Sequence, residues 1–141
     1  MALQVTFDCT DPHAQARFWA VAVDMELEDH HDMISGLLEA GQVPTDSDDV
    51  MEVDGRKVWR DYAAIRPADA GDGNRLLFQR VPEGKTAKNR VHLDIHPGDG
   101  KRDELVKTLL DMGATHLWDA QVGPQSWSTL ADPEGNELCV S

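Results

Sequence analysis

Cysteine is scarce in this chain: Cys9 and Cys139 are the only two, and neither stands in a CxxC pair. So sparse a pair excludes a disulfide framework, and two buried free thiols are expected, since unpaired cysteine packs as a small hydrophobe. Long apolar runs are missing too, and none approaches the ~20 residues that a membrane span needs. The start, MALQVTFDC, carries no basic segment ahead of an apolar one, so no secretory leader is expected and a cytoplasmic protein is the default. Basic residues are few: 13 Lys and Arg against 26 Asp and Glu leave a net charge of −13. A surface of that sign repels a phosphate backbone, so nucleic acid is not an expected partner. Gly-rich phosphate loops, GxSxG, HExxH and calcium-loop patterns are all absent, which removes the chemistries they mark.

What is present suits one packed domain over 1–141. Hydrophobic residues make up 40% and charged residues 28%, which supports a core and argues against disorder. Charge is unevenly spread. Eleven acids and no Lys or Arg lie from Asp24 to Asp54, whereas five bases and one acid, Glu83, lie from Arg75 to Arg90. The acidic run reads as a solvated surface or as an attractor of cationic ligands.

The chain repeats itself. VTFDC at 5–9 matches VHLDI at 91–95 in pattern, and DGNRLLFQ at 72–79 aligns without gaps to EGNELCVS at 134–141. A helix-start signal follows each opening strand: Asp11 before Pro12 in the first copy, Asp99 in the second, with Gly113 as the later stop. Apolar stripes follow, Ala14, Phe18, Val21 and Ala22 in the first helix and Leu105, Leu109 and Met112 in the second, flanked by Val106 and Leu110. THLWDAQV and SWSTLAD read as further strands. The expectation is an α+β fold of two tandem βαβββ units packed sheet against sheet. Unit one spans 1–82, a linker 82–88 and unit two 89–141. Unit one is longer by 24 residues, placed in a helical insertion at about 29–54. KVWRDYAAI is read as the next strand, with Trp59 and Tyr62 on opposite faces, and turns are read at 71–74, 98–100 and 132–137.

This tandem is similar to the vicinal oxygen chelate superfamily, the glyoxalase / bleomycin resistance / dioxygenase fold. FDCTDPHAQARFW, VPEGKTAKNRVHLDI and DPEGNELCV resemble glyoxalase-like domain proteins of the type common in actinobacteria. The resemblance implies curled mixed sheets that face each other as two cups, with a ligand between them. It implies metal ligands, where present, on the cup side of the first and last strand of each unit. Carried onto this chain, those positions hold Thr6, Leu77 or Gln79, His92 and Cys139, with Glu137 two residues before Cys139 on the same face. Thr6 and Leu77 are poor donors, so the set is incomplete and no metal cofactor is expected. If a divalent metal binds, His92, Cys139, Glu137 and Gln79 are its candidates.

Strand alternation sends Val91, Leu93 and Ile95 to the core and His92, Asp94 and His96 to the cup; Thr6 and Asp8 do the same in unit one. Asp8 and Asp94 read either as architectural acceptors for backbone or for Lys88 and Arg90, or as a functional carboxylate pair. His92 with Asp94 reads either as pocket lining or as a catalytic proton shuttle. Trp127 is a candidate wall for a flat ligand, beside Thr6, Asp8, Gln79 and Cys139. Three functions stay open: binding of a small organic molecule with lyase or isomerase activity, antibiotic sequestration without catalysis, and an atypical metal-dependent lyase or dioxygenase. A homodimer, by edge pairing or exchange of units, is compatible with each.

Overall fold

In a computed structural model, which describes residues 3–69 and 74–141, the chain opens with strand β1 (Gln4–Cys9) and helix α1 (Pro12–Ala22). Asp11 caps α1, its carboxylate accepting from the amides of His13 at 3.1 Å and Ala14 at 3.0 Å, and Pro12 opens the helix where no amide is needed. Strand β2 (Glu26–Leu27), helix α2 (His31–Glu39), and strands β3 (Val50–Val53), β4 (Arg56–Trp59), β5 (Tyr62–Arg66) and β6 (Arg75–Arg80) complete unit one. Unit two holds β7 (Leu93–Ile95), α3 (Arg102–Asp111), β8 (Thr115–Val122), β9 (Gln125–Ala131) and β10 (Glu137–Val140). The sheets have matching orders, β1-β6-β5-β2 and β7-β10-β9-β8, and in each the first strand pairs in parallel with the last. The two βαβββ units and the α+β class are as the repeat implied.

The units join through their helix-bearing faces rather than sheet against sheet. Helix α1 lies on β5 and β6, α3 touches β10, and the two helices meet. Phe18, Trp19, Ile65 and Phe78 of unit one share one core with Leu109, Leu130, Leu138 and Val140 of unit two. Phe7 stacks on Phe78 and tilts against Trp19, with ring centres 5.4 and 4.8 Å apart. Each such fully buried side chain contributes about 1.5–3 kcal/mol. The opposite face of the second sheet opens on a cavity, while that of the first is partly covered, with Ala64 buried and Arg75 bonded to Glu28.

Several expectations are corrected. The buried face of α1 is Gln15, Ala16, Phe18, Trp19 and Ala22, while Val21 is exposed; Leu110 and Met112 on α3 are exposed as well. Asp99 does not cap α3, whose cap is Lys101 without a side-chain bond, because the two glycines at 98 and 100 carry the turn with φ of 94° and 73°. Val91 is 75% exposed: pairing starts only at Leu93, so the residue precedes the strand. The insertion is helical only in its first half. KVWRDYAAI splits, its front half pairing with β3 in a hairpin closed by Asp54 and Gly55, whose φ values are 50° and 76°. Trp59 and Tyr62 therefore sit on different strands. The turn read at 71–74 lies mostly outside the described residues.

Candidate functional site

Period-two alternation and register build the site. In unit two Leu130, Leu138 and Val140 point to the core, so Thr129 and Cys139 point the other way. Asp94 stands opposite Cys139, Cys139 opposite Thr129, and Thr129 opposite Trp118. One row across the sheet thus carries a carboxylate, a thiol, a hydroxyl and an indole. A bulge between His116 and Trp118 shifts the register just before that indole. The row floors a cavity of about 810 Å³, whose walls include His92, His96, Lys88, Trp127 and Arg102, and every lining residue comes from 88–141.

Inside it, His92 Nδ1 lies 2.8 Å from Asp94 Oδ1, and His96 Nδ1 lies 2.6 Å from Ser141 Oγ. A carboxylate only accepts, so in this contact the Nδ1–H of His92 donates to Asp94 and fixes the orientation of the ring. Thr129 Oγ1 is 3.5 Å from Cys139 Sγ. Donor atoms of His92, Asp94 and Cys139 all fall within 4.8 Å of one another. Cys139 is only part buried, against the expectation of two buried thiols; Cys9 meets that expectation.

Glu137 is engaged elsewhere. It accepts from Lys85 Nζ at 3.0 Å and from the Asn89 amide at 3.0 Å. Burial opposes its charge, but these bonds outweigh burial and hold the carboxyl below its ordinary value. Thr6 and Asp8 line a second groove, of about 590 Å³, between β1 and residues 81–93; His92 and Glu137 border both spaces. Gln79 faces neither, lying on β6 opposite Asp8 and Tyr62. Register also separates the two units: Thr6 stands opposite Leu77, whereas Asp94, not His92, stands opposite Cys139. The closing strands are thus offset by two residues relative to the repeat in the sequence.

The structure therefore brings together His92, Asp94, Cys139 and Trp127; Thr6 and Asp8 share only the second groove with His92, and Gln79 lines neither. Of the four metal candidates only His92 and Cys139 meet. A hard ion such as Mn(II) asks for several oxygen ligands in near-octahedral array. Here the donors are one thiol and an imidazole already bonded to the single carboxylate, so these residues do not fit such an ion. Sequence reasoning missed Trp118, which the alternation of THLWDAQV would have aimed at the cup with Trp127. It also missed Arg102, which reaches from α3 to the Ser126 and Ser128 hydroxyls at 2.9 and 2.8 Å; no local pattern marks that contact.

Comparison with known proteins places the fold. A family model described as a glyoxalase-like domain matches residues 4–141. No curated protein matches the chain in sequence. Among solved structures, the fosfomycin resistance protein FosX from Mesorhizobium loti superposes with a TM-score of 0.62 at 11% identity, over 99% of this chain and 87% of that one. A mutant FosX from Listeria monocytogenes, complexed with Mn(II) and a dihydroxypropylphosphonic acid, gives 0.61 at 9% identity over 99% and 86%. The bleomycin-binding protein of Streptomyces verticillus, complexed with copper(II)-bleomycin, gives 0.54 at 16% identity over 100% and 94%.

Proposed function

Because the chain belongs to the glyoxalase-like domain family, we propose that it binds a small organic molecule in the cup of its second unit. The observation that carries this reading is the row Asp94–Cys139–Thr129–Trp118 at the floor of an 810 Å³ cavity walled by Trp127 and His92. That volume suits a drug-sized ligand. Two indoles offer a flat apolar wall, and Lys88 and His92 offer a polar or anionic end a partner. Lys88 forms no ion pair among the described residues. His92, with its proton fixed by Asp94, is the base this reading assigns to a lyase or isomerase step, in which a proton leaves one substrate atom and returns to another.

Titration with anilinonaphthalenesulfonate, a flat anionic dye, tests the reading. Saturable binding that Trp127→Ala and Lys88→Ala each weaken supports it; binding unchanged in both variants overturns it. A parallel titration with bleomycin separates the sequestration reading, which the net charge of −13 favours. Quenching by bleomycin alone would move the function there.

A further inference from the structure

We propose that Cys139 is a nucleophilic thiol, with His92 as its base and Asp94 as the residue that orients the base, adding to electrophilic unsaturated carbonyl compounds held in the cup. The inference rests on the cup being the ligand site, and it starts from the misfit between these residues and a hard metal ion. A position where an ion-holding residue would stand carries a thiol instead. Beside it lies an imidazole whose Nδ1 is bonded to a carboxylate at 2.8 Å. The three donor atoms lie within 4.8 Å of one another, a separation of the kind that tightens when a ligand closes over a nucleophile and its base. The Thr129 hydroxyl, 3.5 Å from Sγ, is a further partner for a thiolate.

The second cysteine supplies a contrast within the same molecule. Cys9 is 3% exposed, and its Sγ donates to the Gln79 carbonyl oxygen at 3.4 Å. Burial first, then the charges of Glu134, Asp11, Asp8 and Asp132, push that thiol up to about 12. Cys139 instead opens on a cavity. The charged and titratable groups facing that cavity are His92, Asp94, His96, Lys88, Arg102 and Glu137. Lys88 brings a positive charge to that wall, while Arg102 is held by the Ser126 and Ser128 hydroxyls and by Asp119. Glu137 is neutralised by Lys85, and Asp94 is engaged by the imidazole.

The step balances without a co-reactant. His92 Nε2 takes the thiol proton, and Sγ bonds to the β-carbon of the unsaturated carbonyl. The carbon–carbon π pair shifts to make an enolate, and the imidazolium returns the proton to the α-carbon. One S–C and one C–H bond form, the S–H bond and the π bond break, and nothing leaves.

The test uses the full chain, chelator-treated, with N-ethylmaleimide as the probe and intact-mass and peptide mapping as the readout. The expected result is one adduct, on Cys139, with Cys9 unlabelled until the protein is unfolded. Its rate should exceed that of glutathione measured under the same conditions. His92→Ala, or His92→Gln if the alanine variant does not fold, should slow it about tenfold or more. Asp94→Asn should lower the rate and shift its pH profile. Labelling of Cys139 no faster than that of glutathione, or unchanged by the His92 substitution, overturns the proposal. So does zinc that is retained through dialysis and protects Cys139, which would make the trio a soft-metal site. Dye binding by Cys139→Ser separates the two readings: a cup that binds the dye while the native thiol stays sluggish defeats only the nucleophile, and a cup that binds nothing defeats the ligand site.

Discussion

Trp19 on α1 donates its indole N–H to Asp132 Oδ2 at 2.9 Å, joining two residues 113 positions apart and both buried. The same carboxylate accepts from the amides of Glu134 and Asn136 at 2.9 Å each and from Asn136 Nδ2 at 3.0 Å, which shapes the turn before β10. Glu134 from that turn accepts in return from the amides of Thr10 and Asp11 at 2.7 and 2.8 Å. The DPEGNE turn therefore clamps unit two onto the start of α1.

Trp19→Phe keeps most of the apolar volume and removes one buried donor. The expected loss is about 1–3 kcal/mol of unfolding free energy, read by urea denaturation. An unchanged midpoint would mean the clamp contributes nothing.

Arg75 and Glu28 pair through two bonds of 2.8 Å, and Arg75 also donates to Gln4 Oε1 at 2.6 Å. The Arg75 hydrogen bond holds the Glu28 carboxyl below its ordinary 4.5, against a smaller opposing effect of burial. A depressed carboxyl contributes stability that is present above its unfolded value and lost as the pH falls through the folded one. Acidification below about 4.5 should therefore erode wild-type stability more steeply than that of Arg75→Met, compared by thermal melts across that range. Parallel slopes would show that the pair carries no pH dependence.

Cys9 has the opposite sign. Its thiol is raised from 9.0 to about 12 in the folded chain, so the stability linked to its neutral form is full below pH 9 and lost as the pH climbs toward 12. Cys9→Val should flatten the alkaline limb of the stability curve relative to wild type. A limb of equal slope would place the alkaline loss elsewhere.

Strand β8 is the outer edge of the second sheet, and Leu117, Trp118 and Val122 on it are 38%, 46% and 68% exposed. An unpaired apolar edge is a template for another strand. We expect self-association through it. Val122→Lys should shift sedimentation-equilibrium mass toward the monomer, and a mass that does not change would remove β8 from any interface.

The alternation of VTFDC and VHLDI was enough to place Asp94 and His92 on a shared face, because period two is local to a strand. The paired Gly-Asn turns were enough to mark two copies. The hairpin of β3 and β4 was legible but unread: Asp54-Gly55 between Val53 and Arg56 is the sequence a two-residue turn with two positive φ values requires. The stretch around it reads instead as part of a helical insertion with an acidic, solvated surface. Other features are not local. The clamp needs Asp132 to meet Trp19; separately, Glu137 is claimed by a linker lysine 52 positions away, and β10 lies two residues along β7 from where the repeat would set it. No window of sequence contains both partners of any of these.

Parallel pairing of each unit's first and last strand has a kinetic corollary. Val5 pairs with Leu76 across a long span of chain, and closure of that span must precede any reward for it. The β8–β9 hairpin, closed by a short turn at Gly123, can zip on its own. Refolding should therefore show early protection of the amides of 115–131 and late protection of β1 and β6, with the slow arrival of the N-terminal sheet setting the overall rate.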